Sequence, residues 1–175
     1  MSDAGMSGRR IETVAVHAGL HVDPGTGAVT PAIHPSTTFE REPDGSYPRG
    51  FLYSRSSAPN RAALEECLAA LEGGQDAAAF ASASAATAGI FLSLEPGDHG
   101  DAAMDAYYGT AKLLRETFAR WKLDSTFVDM TEVAAVRAAI RPKTRLVWVE
   151  TPTNPLWKVS DIASLGEIAH RAGAL

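Results

Sequence analysis

The alternation of short apolar runs with segments of helical period is the feature that most constrains the fold of this chain. The predicted strands are Ala77–Phe80, Ala102–Met104, Ser125–Val128 and Arg145–Val149. The predicted helices are Arg61–Glu72, Ala83–Leu94, Tyr108–Trp121, Thr131–Ile140 and Ser160–Arg171. Because strands separated by helices pair in parallel, this order predicts an α/β layer fold with a mainly parallel sheet and flanking helices.

The segment before these elements has a different character. From Ile11 to about Asn60 the chain is rich in Pro, Gly, Ser and Thr, and it shows no sustained helical or strand period. Such a long irregular segment is unusual inside a compact domain, so it is either disordered or an arm that becomes ordered on another subunit. Its apolar and aromatic residues favour the arm: Val14, Val16, Ile33, Phe39, Phe51 and Tyr53. Residues Met1–Gly8 are predicted to fray.

Composition excludes several classes of protein. With 175 residues, of which 45% are hydrophobic, the chain can bury a core and is not a disordered protein. A net charge of -5 gives no general basic surface for nucleic acid. The single cysteine, Cys67, rules out an internal disulfide, and its helical register with Leu64, Leu68 and Leu71 predicts a core thiol. No run resembles a signal peptide or a membrane span, so the cytoplasm is the expected compartment.

Three short motifs carry candidate chemistry, each with a structural alternative. The small residues Ala81–Ala86 follow a predicted strand and open a helix, where free backbone N–H groups bind anions; they also suit close packing on a sheet. Tyr53-Ser54-Arg55 suits phosphate binding through the guanidinium and the tyrosine hydroxyl; the alternative is that Arg55 is only a solvated loop arginine. Glu150–Pro155 directly follows the clearest strand and presents the amide of Asn154 where ligands bind in parallel sheets; a tight turn is the alternative.

Other site types lack their residues. There is no G-x-G-x-x-G fingerprint, no Walker lysine and no G-x-S-x-G elbow. His17, His21 and His34 lie in the irregular segment without a helix to set their spacing, so no metal site is predicted.

Taken in order, the motifs resemble a known family. The series is TVAVHAG, DPGTGAVT, PAIHPSTTF, YSRSSAP, LEGG, FASASAA, GDH, DAYYGT and ETPTNP. Its order and spacing are similar to the pyridoxal-phosphate (PLP) enzymes of cysteine and methionine metabolism, which include cystathionine γ-synthase, cystathionine γ-lyase, methionine γ-lyase and the homoserine sulfhydrylases. The resemblance implies the fold type I large domain that aspartate aminotransferase also has, and PLP as cofactor.

The resemblance also implies roles for single residues. Backbone N–H groups of Ala83 and Ser84 would hold the cofactor phosphate. Tyr107 would stack on the pyridine ring and assist acid–base steps. Asn154 would lie near the phenolic oxygen of the ring, with Glu150 on the same strand end.

A second subunit is implied as well. Tyr53 and Arg55 match the pair that binds the cofactor phosphate of a neighbouring subunit, so they would act in trans within a homo-oligomer, a dimer or tetramer in this family. The expected organisation is an arm over residues 1–60 and the first part of the PLP domain over residues 61–175. The implied substrates are amino acids, and neither nucleic acid nor a membrane is an expected partner.

The chain departs from the family pattern at several positions. Ala83-Ser84 stands where Gly-Met is usual, Tyr108 where the second residue of Y-G-G-T is glycine, and Ala58 where asparagine is usual. Gly100-Asp101 interrupts a strand that is normally apolar, which is expected to lower local stability.

The largest departure concerns lysine. PLP chemistry needs a lysine that holds the cofactor as a Schiff base, and no lysine here stands in a matching motif; the four after the aromatic pair are Lys112, Lys122, Lys143 and Lys158. The expectation is therefore an N-terminal, truncated part of such an enzyme, inactive alone. Two alternatives remain: a non-catalytic protein that pairs with a full-length homologue, and a nucleotide-binding α/β domain, which the missing glycine fingerprint disfavours.

Overall fold

The computed structural model describes residues 8–175, so nearly all of the predicted frayed segment Met1–Gly8 lies outside the described residues. The chain divides into two compact units, the first ending at Ala79 and the second running from Phe80 to Leu175. No helix in the described residues is long and apolar enough to cross a membrane. The division into an arm up to residue 60 and a domain from residue 61 stays a prediction.

The first unit contains two helices that pack on each other, α1 (Ile11–His17) and α2 (Pro59–Glu72). Helix α2 confirms the predicted helix and begins two residues earlier, because proline is tolerated in the first helical turn. It ends at Gly73, whose φ of 66° is left-handed and whose N–H donates to the carbonyl of Ala69.

Helix α1 corrects the expectation that the segment up to Asn60 has no helix. Its seven residues have no side-chain cap, so little in the local pattern marks it, and Val14 is the residue that it buries. After α1, the backbone at Gly19 packs closely on α2. Its φ is 72°, and a Cβ there would lie 2.0 Å from the carbonyl oxygen of Ala63, so this contact requires glycine. Between the helices the chain turns repeatedly, with one antiparallel bridge from Thr38 to Tyr53.

The thiol of Cys67 is not in the core as predicted. Cys67 is half-buried, while Leu64 and Leu68 on the same helix are 51% and 41% exposed. The buried residue of α2 is Ala69. The predicted helical period was correct, but the apolar side chains that it places on one face of α2 remain largely exposed in this unit.

The second unit confirms the predicted α/β layer with a parallel sheet. Its strands are β1 (His99–Ala103), β2 (Asp124–Val128) and β3 (Thr144–Trp148). They lie in the order β2-β1-β3 and pair in parallel. Its helices are α3 (Ala83–Phe91), α4 (Tyr108–Lys112), α5 (Val133–Ala139) and α6 (Ile162–Arg171), and α4 continues as a π-helical segment, Leu113–Phe118.

Two apolar clusters form the core of this unit. Because neighbouring strand residues point to opposite faces, Ala102 and Ala103 belong to different clusters. One cluster contains Ala103, Ala106, Val128, Met130, Val136, Val147, Leu165, Ile168, Ala169 and Ala174. The other contains Phe91, Leu94, Ala102, Leu114, Phe118, Leu123 and Leu146. The sheet is thus covered on both faces, as a parallel sheet requires.

Two predicted strands need correction. Ala77–Phe80 is not a strand: it pairs with none of the three strands, and Phe80 is 51% exposed. Three of its four residues are alanine, which has low strand propensity. Strand β1 begins at His99 instead of Ala102 and runs through Gly100 and Asp101, so these residues lie within the strand and do not interrupt it.

The last residues of the chain lie beside β3. Gly173, with a φ of 71°, follows α6, and Ala174 is buried. The N–H of Leu175 donates to the carbonyl of Arg145 at 2.9 Å, and the N–H of Val147 donates to the carbonyl of Leu175 at 2.7 Å. These two bonds have the pattern of a parallel ladder beside β3.

Candidate functional site

Several polar residues of the second unit follow the carboxyl ends of its three strands. Asp105 and Tyr107 follow β1, Asp129 follows β2, and Glu150 follows β3. Because the strands are parallel, these residues leave the sheet at one edge, where ligands bind in open α/β sheets.

Tyr107 is held by its backbone and keeps its ring accessible. It precedes α4 as the N-cap residue, and its N–H donates to Oε1 of Glu150 at 2.9 Å. The other oxygen of Glu150 lies 3.4 Å from Nε1 of Trp148. A Cβ added to Gly109 would lie 2.5 Å from Cε1 of Tyr107, so glycine at this position leaves room for the ring. The side chain is therefore placed by its surroundings while the residue stays 49% exposed.

The loop after β3 is tied to the end of β1. The hydroxyl of Thr153, a residue only 3% exposed, donates to Oδ2 of Asp105 at 2.8 Å. The same hydroxyl accepts the N–H of Lys158 at 3.1 Å. Buried Thr153 thereby fixes the loop, and its neighbour Asn154 is exposed.

Lys158 adds the one cation of this group of side chains. Its Nζ donates to Oδ2 of Asp129 at 2.8 Å and lies 4.0 Å from Oδ2 of Asp105. The hydrogen bond from Lys158, followed by those from Thr131, lowers the pKa of Asp129 to about 2. The bond to Asp129 likewise raises the pKa of Lys158. Both groups are therefore charged at neutral pH.

The start of α3 presents free backbone donors. Ser82 is the N-cap residue, and its hydroxyl accepts the N–H of Ala85 at 3.2 Å. Ala83 and Ser84 are exposed in the first turn, where N–H groups have no acceptor within the helix. Such a helix start attracts an anion. Helix α3 contacts α4, the helix that Tyr107 precedes.

Tyr53 and Arg55 lie in the first unit. Both are exposed, and the guanidinium of Arg55 lies 5.1 Å from the centroid of the Tyr53 ring. The contact is a cation–π pair that holds the two side chains together.

The structure thus joins some predicted site residues and not others. Tyr107 and the loop of Asn154 are linked through Glu150 and Thr153. No hydrogen bond joins Ala83 or Ser84 to these residues within residues 8–175.

Other residues of the edge were missed by sequence reasoning: Asp105, Asp129, Thr153 and Lys158. The signal that points to Asp105 and Asp129 is their place just after strands that end at one edge, whereas Thr153 and Lys158 lie further along the loop that follows β3. Among the same described residues, no three His, Cys, Asp or Glu side chains gather as a metal site.

Comparison with known proteins decides the family. Residues 12–175 match the family described as Cys/Met metabolism PLP-dependent enzyme. The chain belongs to this family. The predicted resemblance is therefore confirmed over nearly the whole chain.

Individual relatives agree with the family. The chain is 46% identical over 162 residues to a cystathionine gamma-synthase from Mycobacterium leprae, covering 92% of this chain and 42% of the relative. It is 44% identical over 160 residues to a cystathionine beta-lyase from Coxiella burnetii, covering 91% and 41%. The chain spans about two fifths of the length of these curated relatives.

A solved structure confirms the fold. The crystal structure of metB from Corynebacterium glutamicum superposes with a TM-score of 0.92 at 38% sequence identity, over 97% of this chain and 44% of that one. The second unit therefore has the α/β architecture of fold type I PLP enzymes, as the sequence predicted.

The residues present fit the cofactor that the family uses. A phosphate suits the first turn of α3, where Ala83 and Ser84 are exposed. A flat ring suits the accessible side chain of Tyr107, which Gly109 leaves free of a neighbouring Cβ. The exposed amide of Asn154 can hydrogen-bond a ring substituent.

Proposed function

We propose that this chain provides the cofactor-binding part of a PLP-dependent enzyme of sulfur amino-acid metabolism. The reaction is a γ-elimination or γ-replacement on homoserine-ester or cystathionine-type substrates, with cysteine as the thiol that adds in the replacement. The observation that supports the proposal is the pair of hydrogen bonds that link the loop of Tyr107 to the loop of Asn154 at the carboxyl edge of the sheet, the edge where ligands bind in open α/β sheets.

Each residue has a defined task in this proposal. Backbone N–H groups of Ala83 and Ser84 bind the cofactor phosphate, and Tyr107 stacks on the ring. The hydroxyl of Tyr107 moves a proton near the reacting carbon of the substrate, and the amide of Asn154 orients the ring through its phenolic oxygen. When bound, PLP supplies an electron-withdrawing ring that stabilises negative charge next to the substrate amino group.

Tyr53 and Arg55 serve a neighbouring copy of the chain in the same proposal. Their exposure and their cation–π contact support this role, since a paired hydroxyl and guanidinium suit a phosphate. The assembly is a homo-oligomer in which the segment up to residue 60 acts as an arm.

We also propose that these 175 residues have no catalytic activity alone. Lys158 is the lysine at the carboxyl edge of the sheet, and its hydrogen bond to Asp129 raises the pKa of its own ammonium group. A lysine held in its charged form does not suit the role of a nucleophilic amine. Treatment with PLP and borohydride, followed by peptide mapping, is expected to label no single lysine. Stoichiometric labelling of one lysine would contradict this part of the proposal.

The test of the site uses pyridoxine 5′-phosphate, which has no aldehyde and so cannot react with lysines. Calorimetric titration of the 175-residue chain should show binding, and Tyr107→Ala should weaken it by about five-fold, as expected for the loss of one aromatic contact. Tyr108→Ala is the matched control, because Tyr108 is the adjacent tyrosine and is 72% exposed. Absence of binding, or equal losses for the two variants, would refute the proposed site.

A further inference from the structure

Lys158 lies in the loop after β3, and its side chain reaches Asp105 after β1 and Asp129 after β2. The family motifs quoted from the sequence do not include it. We propose that Lys158 is a positioning residue: it fixes the loop 150–158 against the ends of β1 and β2, and thereby sets Asn154 relative to Tyr107. The inference rests on the proposed function for the ligand, but the contacts that carry it belong to the chain alone.

The backbone of Lys158 closes the loop. Its N–H donates to the hydroxyl of Thr153 at 3.1 Å, and its carbonyl accepts the N–H of Thr153 at 3.0 Å. The N–H of Trp157 also donates to the carbonyl of Thr153, at 2.9 Å. Asn154 therefore lies in a short turn that begins at Thr153 and ends at Lys158.

The side chain of Lys158 anchors this turn to another strand. Its Nζ hydrogen-bonds to Asp129, the residue after β2, at 2.8 Å. Thr153 hydrogen-bonds to Asp105, which lies two residues before Tyr107. Thus one end of the turn is attached to the end of β2, and the other is attached to the end of β1.

The charges show why a cation is needed here. The side chain of Asp105 is 8% exposed, and its Oδ1 has no hydrogen-bond partner among the described residues. Lys158, 4.0 Å from Oδ2, faces both Asp105 and Asp129. Removing its charge leaves two carboxylates at one edge without this neighbour, and repulsion between them moves the turn away from the strand ends.

Hydrogen exchange of the free chain tests the inference without any ligand. Lys158→Met keeps most of the side-chain length and removes the charge. The amides of Thr153, Trp157 and Lys158 should then exchange about ten-fold faster, as expected when a local structure opens more often. Lys143→Met is the matched control, because Lys143 is exposed just before the amino end of β3, and it should leave these rates unchanged. Lys158→Arg should restore protection.

Two ligands then separate positioning from general damage. Pyridoxine 5′-phosphate should bind Lys158→Met about five-fold more weakly, the effect of losing one hydrogen bond. Inorganic phosphate, which needs only the start of α3, should bind both proteins equally.

Each outcome decides one statement. Loop amides that exchange at the unsubstituted rate in Lys158→Met overturn the inference, whatever the ligands do. Equal weakening of both ligands also overturns it, because the effect is then general. An unsubstituted chain that binds no pyridoxine 5′-phosphate refutes the proposed function, while the exchange rates still decide whether Lys158 holds the loop.

Discussion

The backbone N–H of Tyr107 donates a 2.9 Å hydrogen bond to Oε1 of Glu150, and this bond joins the loop after β1 to the loop after β3. Tyr107 is the N-cap residue of α4, so the carboxylate of Glu150 also lies near the positive end of a helix. One side chain therefore fixes the backbone of the residue whose ring is proposed to stack on the cofactor.

Replacing Glu150 is expected to destabilise the second unit modestly. Glu150→Ala removes the acceptor of the Tyr107 N–H, which should lower the free energy of unfolding by about 1 kcal/mol. Glu150→Gln keeps a carbonyl oxygen and should retain most of the stability. Urea unfolding followed by tryptophan fluorescence measures the change, since Trp121, Trp148 and Trp157 all belong to this unit.

The control for this prediction is Glu167→Ala. Glu167 pairs with Arg171 on the exposed surface of α6, at 3.0 Å, and such pairs contribute little. A loss as large as that of Glu150→Ala would mean that the bond to Tyr107 has no special value.

A second prediction concerns Asp101, which lies inside β1 and is 1% exposed. Neither of its carboxyl oxygens has a hydrogen-bond partner among the described residues, and Oδ1 lies 3.6 Å from Nε2 of His99. The ring nitrogens of His99 form hydrogen bonds with the hydroxyls of Thr144 and Thr126, at 2.8 and 2.9 Å. Burial raises the pKa of Asp101 from 3.8 to about 6, opposed in part by the charge of Arg141.

The sign of the pH dependence follows from this shift. Between about pH 4 and pH 6 the folded protein keeps a proton on Asp101 that the unfolded chain releases, so the free energy of unfolding falls as pH rises through this window. The total loss is on the order of 3 kcal/mol. Asp101→Asn does not titrate and should abolish the fall.

Comparing the unsubstituted protein with Asp101→Asn separates the pH dependence due to Asp101 from that due to His99. Burial lowers the pKa of His99, which acts in the opposite direction by favouring the folded protein as pH rises. Both proteins retain His99, so urea unfolding at pH 4 and pH 7 should show the difference due to Asp101. Parallel curves for the two proteins would contradict the assignment.

A third prediction concerns Gly19, at the end of α1. Its φ of 72° is left-handed, and a Cβ would lie 2.0 Å from the backbone oxygen of Ala63 on α2. Gly19→Ala therefore combines strain with a clash against backbone, and should destabilise the first unit by roughly 3 kcal/mol. Hydrogen exchange of the α1 and α2 amides measures the effect.

Gly27→Ala is the matched control. Gly27 has the same left-handed conformation, with a φ of 73°, but no atom lies within 4 Å of its added Cβ. It should show the strain alone, about 1 kcal/mol. Equal effects of the two variants would show that the approach of Gly19 to Ala63 does not matter.

Local sequence patterns correctly predicted the helices and strands in which propensity, hydrophobic period and capping all indicate the same structure. Helix α6 was correct apart from its first residues, because Asp161 caps it by accepting the N–H of Ser164, one turn later in the chain. Strand β3 was found from a continuous apolar run, and its observed range is shifted by one residue. In these elements propensity, period and capping agree.

The features that the sequence did not predict depend on contacts between residues far apart in the chain. Strand β1 was expected to begin at Ala102, because buried His99 and Asp101 do not fit an apolar strand. The hydroxyls of Thr126 and Thr144 form hydrogen bonds with His99 from the neighbouring strands, 27 and 45 residues away. The bond from Thr153 to Asp105 spans 48 residues. Motif reasoning named Tyr107 and Asn154 as candidate site residues, but the parallel pairing of β1 and β3 and the hydrogen bonds between their loops could not be read from the motifs.

The last prediction concerns Ser82, the N-cap residue of α3. Its hydroxyl accepts the N–H of Ala85 at 3.2 Å, and Ser82→Ala removes this acceptor at a cost of about 1 kcal/mol in the free energy of unfolding. Ser93→Ala is the control at the other end of the helix, where an exposed hydroxyl only donates to the carbonyl of Ile90. Because Ala83 and Ser84 follow the cap directly, fraying of this turn should also weaken inorganic phosphate binding by about three-fold, which calorimetry can measure. If Ser82→Ala lost stability but bound phosphate as before, the anion would bind elsewhere, and the first turn of α3 would be a packing element alone.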